Sequence, residues 1–134
     1  NPTRARRFFA PPDSDGLLET WPAEWWINPP YGKVLKTWLA KAAQEARWGG
    51  TGIALLPCAR WEQKYFQDVL TEANAVCFIR KRVKFINPAT GDAVSGNTYA
   101  NMFLGFNVDQ SRWLEAFQPL GACVALTPLC GSPD

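Results

Sequence analysis

One stretch limits the possible architectures more than any other. Glu24-Trp25-Trp26-Ile27-Asn28 is a short, bulky run that stops at Pro29-Pro30. Aromatic and β-branched side chains favour a pleated, buried strand, and neither proline can donate to a strand ladder. The run therefore predicts a buried strand with a fixed end. Beyond Gly32 the period changes. Val34, Leu35, Trp38, Leu39, Ala42, Ala43 and Ala46 recur at helical spacing, while Lys36, Lys41, Gln44 and Glu45 fall on other faces. Gly49-Gly50 ends this helix. Residues 53–56 are continuously apolar, which fits a central parallel strand covered on both faces.

The rest of the chain continues the alternation. A second helix after Pro57 carries Trp61, Tyr65, Phe66, Val69 and Leu70 on one side. Residues 75–79 form a third apolar strand that runs into the basic stretch Arg80-Lys81-Arg82-Val83-Lys84-Phe85. Residues 87–97, rich in Gly, Pro, Asn and Ser, predict a long loop, and residues 99–108 a strand antiparallel to its neighbour. Asp109 can cap a last helix bearing Trp113 and Phe117. The tail holds one apolar run at residues 122–126. This order predicts an α/β sheet with right-handed crossovers, whose ligands bind beyond the carboxyl ends of the strands. Two such ends carry marked loops, Asn28-Pro29-Pro30-Tyr31 and Pro57-Cys58-Ala59-Arg60.

Composition removes several chemistries. The 134 residues suit one domain, and 47% hydrophobic with 19% charged residues is a globular balance. Histidine is absent, which excludes imidazole acid–base work, His-activated nucleophiles and His-metal sites. Cys58, Cys77, Cys123 and Cys130 form no close Cys-x-x-Cys pair, so no metal site is expected. They read as reduced, structural thiols, which points to the cytoplasm. No apolar stretch has the roughly 20 residues of a membrane helix, and the start does not read as a signal peptide. A formal charge of +2 is too small to identify a nucleic-acid binder by itself.

The Asn28-Pro29-Pro30-Tyr31 tetrapeptide has a chemistry of its own. The prolines remove donors and hold the chain extended, leaving carbonyls available as acceptors beside the Asn28 side-chain oxygen. Two acceptors next to an aromatic ring suit a flat ligand with an amino group, gripped at the amine and stacked on Tyr31. An exocyclic amine of a nucleobase is such a ligand. The bland alternative is a strand-ending turn, since Asn-Pro and Pro-Pro are ordinary turn dipeptides.

With its context this tetrapeptide resembles the (Asp/Asn)-Pro-Pro-(Tyr/Phe) motif of amino-methyltransferases that use S-adenosylmethionine. The whole resembles the Dam-like N6-adenine DNA methyltransferases of phages and prophages. Arg7-Phe8-Phe9, Asp15-Gly16-Leu17, the Trp26-to-Gly32 core, Ala54-Leu55-Leu56-Pro57-Cys58-Ala59-Arg60, Arg82-Val83-Lys84-Phe85 and the closing strand carry the likeness over residues 7–108. It implies a Rossmann-like methyltransferase sheet, mostly parallel with a C-terminal antiparallel hairpin strand. It also implies a single methyltransferase-fold domain over residues 1–134, S-adenosylmethionine as cofactor, double-stranded DNA as partner, and a monomer in the cytoplasm of a bacterial host cell.

The resemblance assigns roles. Asn28, Pro29, Pro30 and Tyr31 would be catalytic, Asn28 and the Pro29 carbonyl accepting from the adenine amine. Tyr31 and Phe85 would stack the flipped base, with the strand of Phe85 running beside the one that ends at Asn28. Phe85 reads equally as a core residue anchoring a hairpin. Asp15, Leu17 and Asn28 would bind the cofactor, although Asp15 is as common in a plain turn. Arg80, Lys81, Arg82 and Lys84, joined by Arg60 and Lys64, would meet phosphates, the alternative being a solvated edge. Arg4, Arg6 and Arg7 are a weaker basic cluster, and the loop at 87–97 is a candidate lid or target-recognition element.

Members of the family carry their main cofactor signature upstream of the Arg-Phe-Phe block. This chain opens at Asn1, directly after that place, so the expectation is an N-terminally truncated domain lacking that motif. A methyltransferase-fold DNA-binding module without turnover is the alternative from another class. A methyltransferase acting on a protein amide or on RNA is a third reading.

Overall fold

The computed structural model of the chain describes residues 9, 15–87, 89–94 and 99–127. Arg4, Arg6, Arg7, Cys130 and residues 88 and 95–98 of the polar loop lie outside the described residues. The chain forms β1 (Glu24–Ile27), α1 (Leu35–Arg47), β2 (Thr51–Pro57), α2 (Lys64–Leu70) and β3 (Ala75–Ile79). A small hairpin follows, β4 (Phe85–Ile86) and β5 (Ala93–Val94), and then β6 (Asn101–Phe106), α3 (Gln110–Phe117) and β7 (Gly121–Ala125).

Local chemistry explains the ends of these elements. β1 stops one residue before Asn28-Pro29, and α1 stops where Gly49 takes φ +96°, a conformation that costs glycine little. The Gly49 and Gly50 amides donate back to the Ala46 and Glu45 carbonyls. Asp109 caps α3 by accepting from the Arg112 amide at 3.0 Å. Trp61 departs from expectation: α2 begins at Lys64, so Trp61 precedes the helix and is largely exposed. Part of the expected long loop is β5, which pairs antiparallel with β4.

The five-stranded sheet has the order β1-β2-β6-β3-β7. β1 and β2 pair in parallel, whereas β6 is antiparallel to both β2 and β3, and β7 is antiparallel to β3. A mostly parallel sheet is therefore the wrong description, because antiparallel pairings predominate. The reason is connectivity. Among the described residues no helix returns the chain between β3 and β6, so β6 starts at the end where β3 stops and runs backwards. Five of its six residues are buried, and such a strand is stable only in the middle of a sheet. β1, β2 and β3 nonetheless share one direction, since β2 and β3 flank the same antiparallel strand.

Side-chain alternation sorts the sheet residues onto two faces. Ile27, Ala54, Leu56, Val76, Leu104 and Phe106 pack with Leu35, Leu39 and Ala42 of α1 and Phe66 and Val69 of α2. On the other face Ala75 and Cys77 pack with Trp113 of α3, with Ile53, Phe103 and Phe117 beside them. Gly105 permits this second contact, because a Cβ there would lie 2.6 Å from the Trp113 ring. The result is three layers around one sheet.

Candidate functional site

The shared direction of β1, β2 and β3 brings their carboxyl ends to one edge of the sheet, and β6 begins at the same edge. Asn28–Tyr31, Cys58–Arg60, Arg80–Lys84 and Tyr99–Asn101 all leave or enter the sheet there. In this kind of sheet ligands are met beyond strand carboxyl ends.

Asn28 follows β1 directly and is exposed. Its side-chain amide takes no hydrogen bond among the described residues, and no described backbone amide donates to the Pro29 carbonyl. Asn28 thus offers an exposed, unengaged acceptor at the strand end, followed by a proline carbonyl that no described backbone amide engages. Pro29 is buried and anchors the segment. Tyr31 is half-buried, and its phenol oxygen accepts from Asn101 Nδ2 at 2.6 Å. Its ring lies 5.9 Å from Tyr99 at 78°, an edge-on arrangement. Burial pushes the Tyr31 phenol above its ordinary value, the Asn101 bond pulls the other way, and the Cys58 thiol adds to the rise. Burial also raises Cys58, which disfavours its thiolate and with it a nucleophilic role.

Asp15 sits in a turn of its own making. Its Oδ1 accepts from the Leu17 amide at 2.9 Å, and its backbone carbonyl accepts from Leu18 and Glu19. The turn is held to the body of the protein by Trp21, whose Nε1 donates to the Gly16 carbonyl at 2.7 Å. Leu17 is half-buried.

Arg60, Lys81, Arg82 and Lys84 are exposed and make no ion pair or side-chain hydrogen bond among the described residues. Arg80 donates to the Pro119 carbonyl at 3.3 Å, and Lys64 is occupied by Asp68 at 2.8 Å on its own helix. All six expected phosphate-facing cations are exposed; four have no ion pair or side-chain hydrogen bond among the described residues, and two have partners.

Phe85 departs from the expected placement. It lies in β4, which pairs with β5 in a separate two-stranded sheet, while the sheet neighbour of β1 is β2. Its strand does not run beside the one ending at Asn28, and the ring beside Tyr31 is Tyr99. Asn101 was not singled out from the sequence. Its signal was there, one amide side chain opening an otherwise apolar strand, Asn101-Met102-Phe103-Leu104-Gly105-Phe106.

The carboxyl edge of the sheet thus gathers the exposed Asn28 amide, the Tyr31 ring held by Asn101 and Tyr99, and a set of exposed cations. The family model described as DNA N-6-adenine-methyltransferase (Dam) matches residues 1–114. The chain belongs to this family of adenine-specific DNA methyltransferases. Comparison with curated proteins and with solved structures gives no match.

Proposed function

We propose that the protein methylates the exocyclic N6 amine of an adenine turned out of double-stranded DNA, with S-adenosylmethionine as donor. The observation that carries this reading is the exposed Asn28 amide, which no described group engages, three residues before the Tyr31 ring at the carboxyl edge of the sheet. Accepting both amine hydrogens draws the nitrogen lone pair out of ring conjugation and makes it nucleophilic. No base is required beforehand, because the amine is neutral and gives up its proton afterwards, so the lack of histidine is no obstacle. Turning the base out costs a few kcal/mol, which a stacking face such as Tyr31 offsets.

S-adenosylmethionine, when bound, supplies an electrophilic methyl group on a sulfonium. The residues present fit it in kind: the Asn28 amide is unengaged, Asp15 is an exposed carboxylate able to accept from an amine, and Leu17 is an apolar surface. The common direction of β1, β2 and β3 supports a Rossmann-like methyltransferase sheet with β6 inserted. Arg60, Lys81, Arg82 and Lys84 border the same edge and would neutralise phosphates. The family resemblance implies a monomer acting on DNA in the cytoplasm of a bacterial cell.

The test is methyl transfer from labelled S-adenosylmethionine to adenine in duplex DNA. Asn28→Ala should lower the rate roughly 30- to 1,000-fold, the range for losing one preorganised partner of a transition state. Its thermal midpoint should stay near that of the unmutated protein, because Asn28 is exposed and unpartnered. A near-normal rate in Asn28→Ala would sink the assignment. DNA binding with no labelled adenine at all would favour the module without turnover.

A further inference from the structure

Asn101 opens β6 and is only 1% exposed. A buried amide N–H that finds no acceptor is destabilising, so both Asn101 hydrogens need partners. Its register partner across the sheet is Pro57, which has no N–H to give to the ladder. The Asn101 side chain reaches past it. Nδ2 donates to the Leu56 carbonyl at 3.3 Å and to the Tyr31 phenol oxygen at 2.6 Å. Each of the two amide hydrogens therefore has an acceptor, one in β2 and one in the segment that leaves β1. Cys58 closes the same corner, its amide donating to the Ala100 carbonyl at 2.8 Å.

We propose that Asn101 is a positioning residue for Tyr31: by donating into the phenol oxygen, with Tyr99 nearly perpendicular to the ring, it sets the plane on which a turned-out base stacks. This rests on the reading of Tyr31 as a stacking face. The acceptor directions of a phenol oxygen lie close to its ring plane, so a fixed donor restricts rotation of the ring about its axis. Tyr99 restricts tilt. With the oxygen accepting from Asn101, the phenol proton is turned away from the amide and stays available as a donor on the open side. Asn101 touches no base itself and acts through Tyr31.

Asn101→Leu keeps the branching of the side chain, although it is bulkier, and removes both donors. The first readout is the alkaline absorbance titration of the Tyr31 phenol, isolated as the difference between each protein and its Tyr31→Phe counterpart. Loss of the Asn101 donor removes the influence that lowers this phenol, so its titration should move to higher pH. Cys58 is the other titratable side chain acting on it and is unchanged in both proteins. The second readout is capture of 2-aminopurine placed at adenine positions in duplex DNA. Capture should weaken roughly 2- to 10-fold, the value of one hydrogen bond, with overall duplex affinity held by the basic rim.

Should Asn101→Leu fail to fold, Tyr31→Phe examines the same bond from the acceptor side. The Asn101 side-chain amide signals in nitrogen-15 spectra should then shift and exchange faster with water. An unmoved titration in Asn101→Leu, or unmoved amide signals in Tyr31→Phe, overturns the contact. A moved titration with unchanged 2-aminopurine capture overturns the positioning role. If the unmutated protein turns out no base, the methyltransferase reading and the positioning role fall together, while the phenol titration still reports the bond.

Discussion

Glu45→Ala should unfold the protein at a markedly lower temperature, although Glu45 lies outside the candidate site. Its side chain is 6% exposed and holds two groups at once. Oε1 accepts from Lys41 Nζ at 2.8 Å and from the Trp21 amide at 3.2 Å. Lys41 Nζ also lies 5.5 Å from the centre of the Trp21 ring. Truncation leaves the Trp21 amide without its acceptor, which costs about 1–3 kcal/mol. It also strips Lys41 of its counter-charge. Breaking a fully buried pair costs about 3–5 kcal/mol, but the long Lys41 stem can carry its head towards water and recover part of that. The total is about 2–4 kcal/mol. With an unfolding entropy of about 2.1 cal/mol/K per residue, this chain loses about 3–4 °C per kcal/mol, hence roughly 7–14 °C. Glu45→Gln keeps an acceptor for both donors and should lose only about 1 kcal/mol, or roughly 3–4 °C. Calorimetry or thermal circular dichroism measures both. Because Trp21 holds the Gly16 carbonyl, hydrogen exchange at Leu17 and Leu18 should also speed up in the Ala variant. A drop below about 2 °C in Glu45→Ala would put the pair in the range of an exposed ion pair and refute the reasoning.

Three further outcomes are expected. Changing Arg60, Lys81, Arg82 and Lys84 to Gln should weaken DNA binding and reduce the slope of log affinity against log salt by roughly 0.9 per lost phosphate contact, and an unchanged slope would make the rim a solvated surface. Tyr99→Leu should reduce 2-aminopurine capture more than Phe85→Leu, because Tyr99 is the ring beside Tyr31, whereas Phe85 belongs to the β4–β5 hairpin; the reverse ranking would restore Phe85 as the second wall. Burial, and then the facing Cys123, push the Cys77 thiol up to about 11 from an ordinary 9.0. Between those values the unfolded chain gives up this proton and the folded chain keeps it. Stability should thus be undiminished by this group below about pH 9 and fall as pH rises through about 11. Urea midpoints at pH 8 and pH 10.5 measure the fall, and an equal fall in Cys77→Ala would assign it to other groups.

Features set by neighbours in the chain were legible without a fold. Pro29-Pro30 can only end a strand, Gly49 can turn where other residues strain, and Asp109 caps the turn it begins. Each of these acts within a few residues, so the sequence by itself determined where β1, α1 and α3 start or stop. It also determined that Asn28 and Tyr31 sit together at a strand end, since only three positions separate them. The tertiary structure decided the rest. Nothing local says that β6 enters between β2 and β3; that follows from burial on both faces and from a connection that, among the described residues, holds a hairpin instead of a return helix, and it reverses the sheet from parallel to mainly antiparallel. The same insertion carries Asn101 to Tyr31 across 70 positions of sequence. It leaves Phe85 in another sheet, where adjacency to a basic run had suggested the pocket. Hydrogen bonds and ring contacts over such distances depend on which strands become neighbours, and only the packing of the whole chain sets that order.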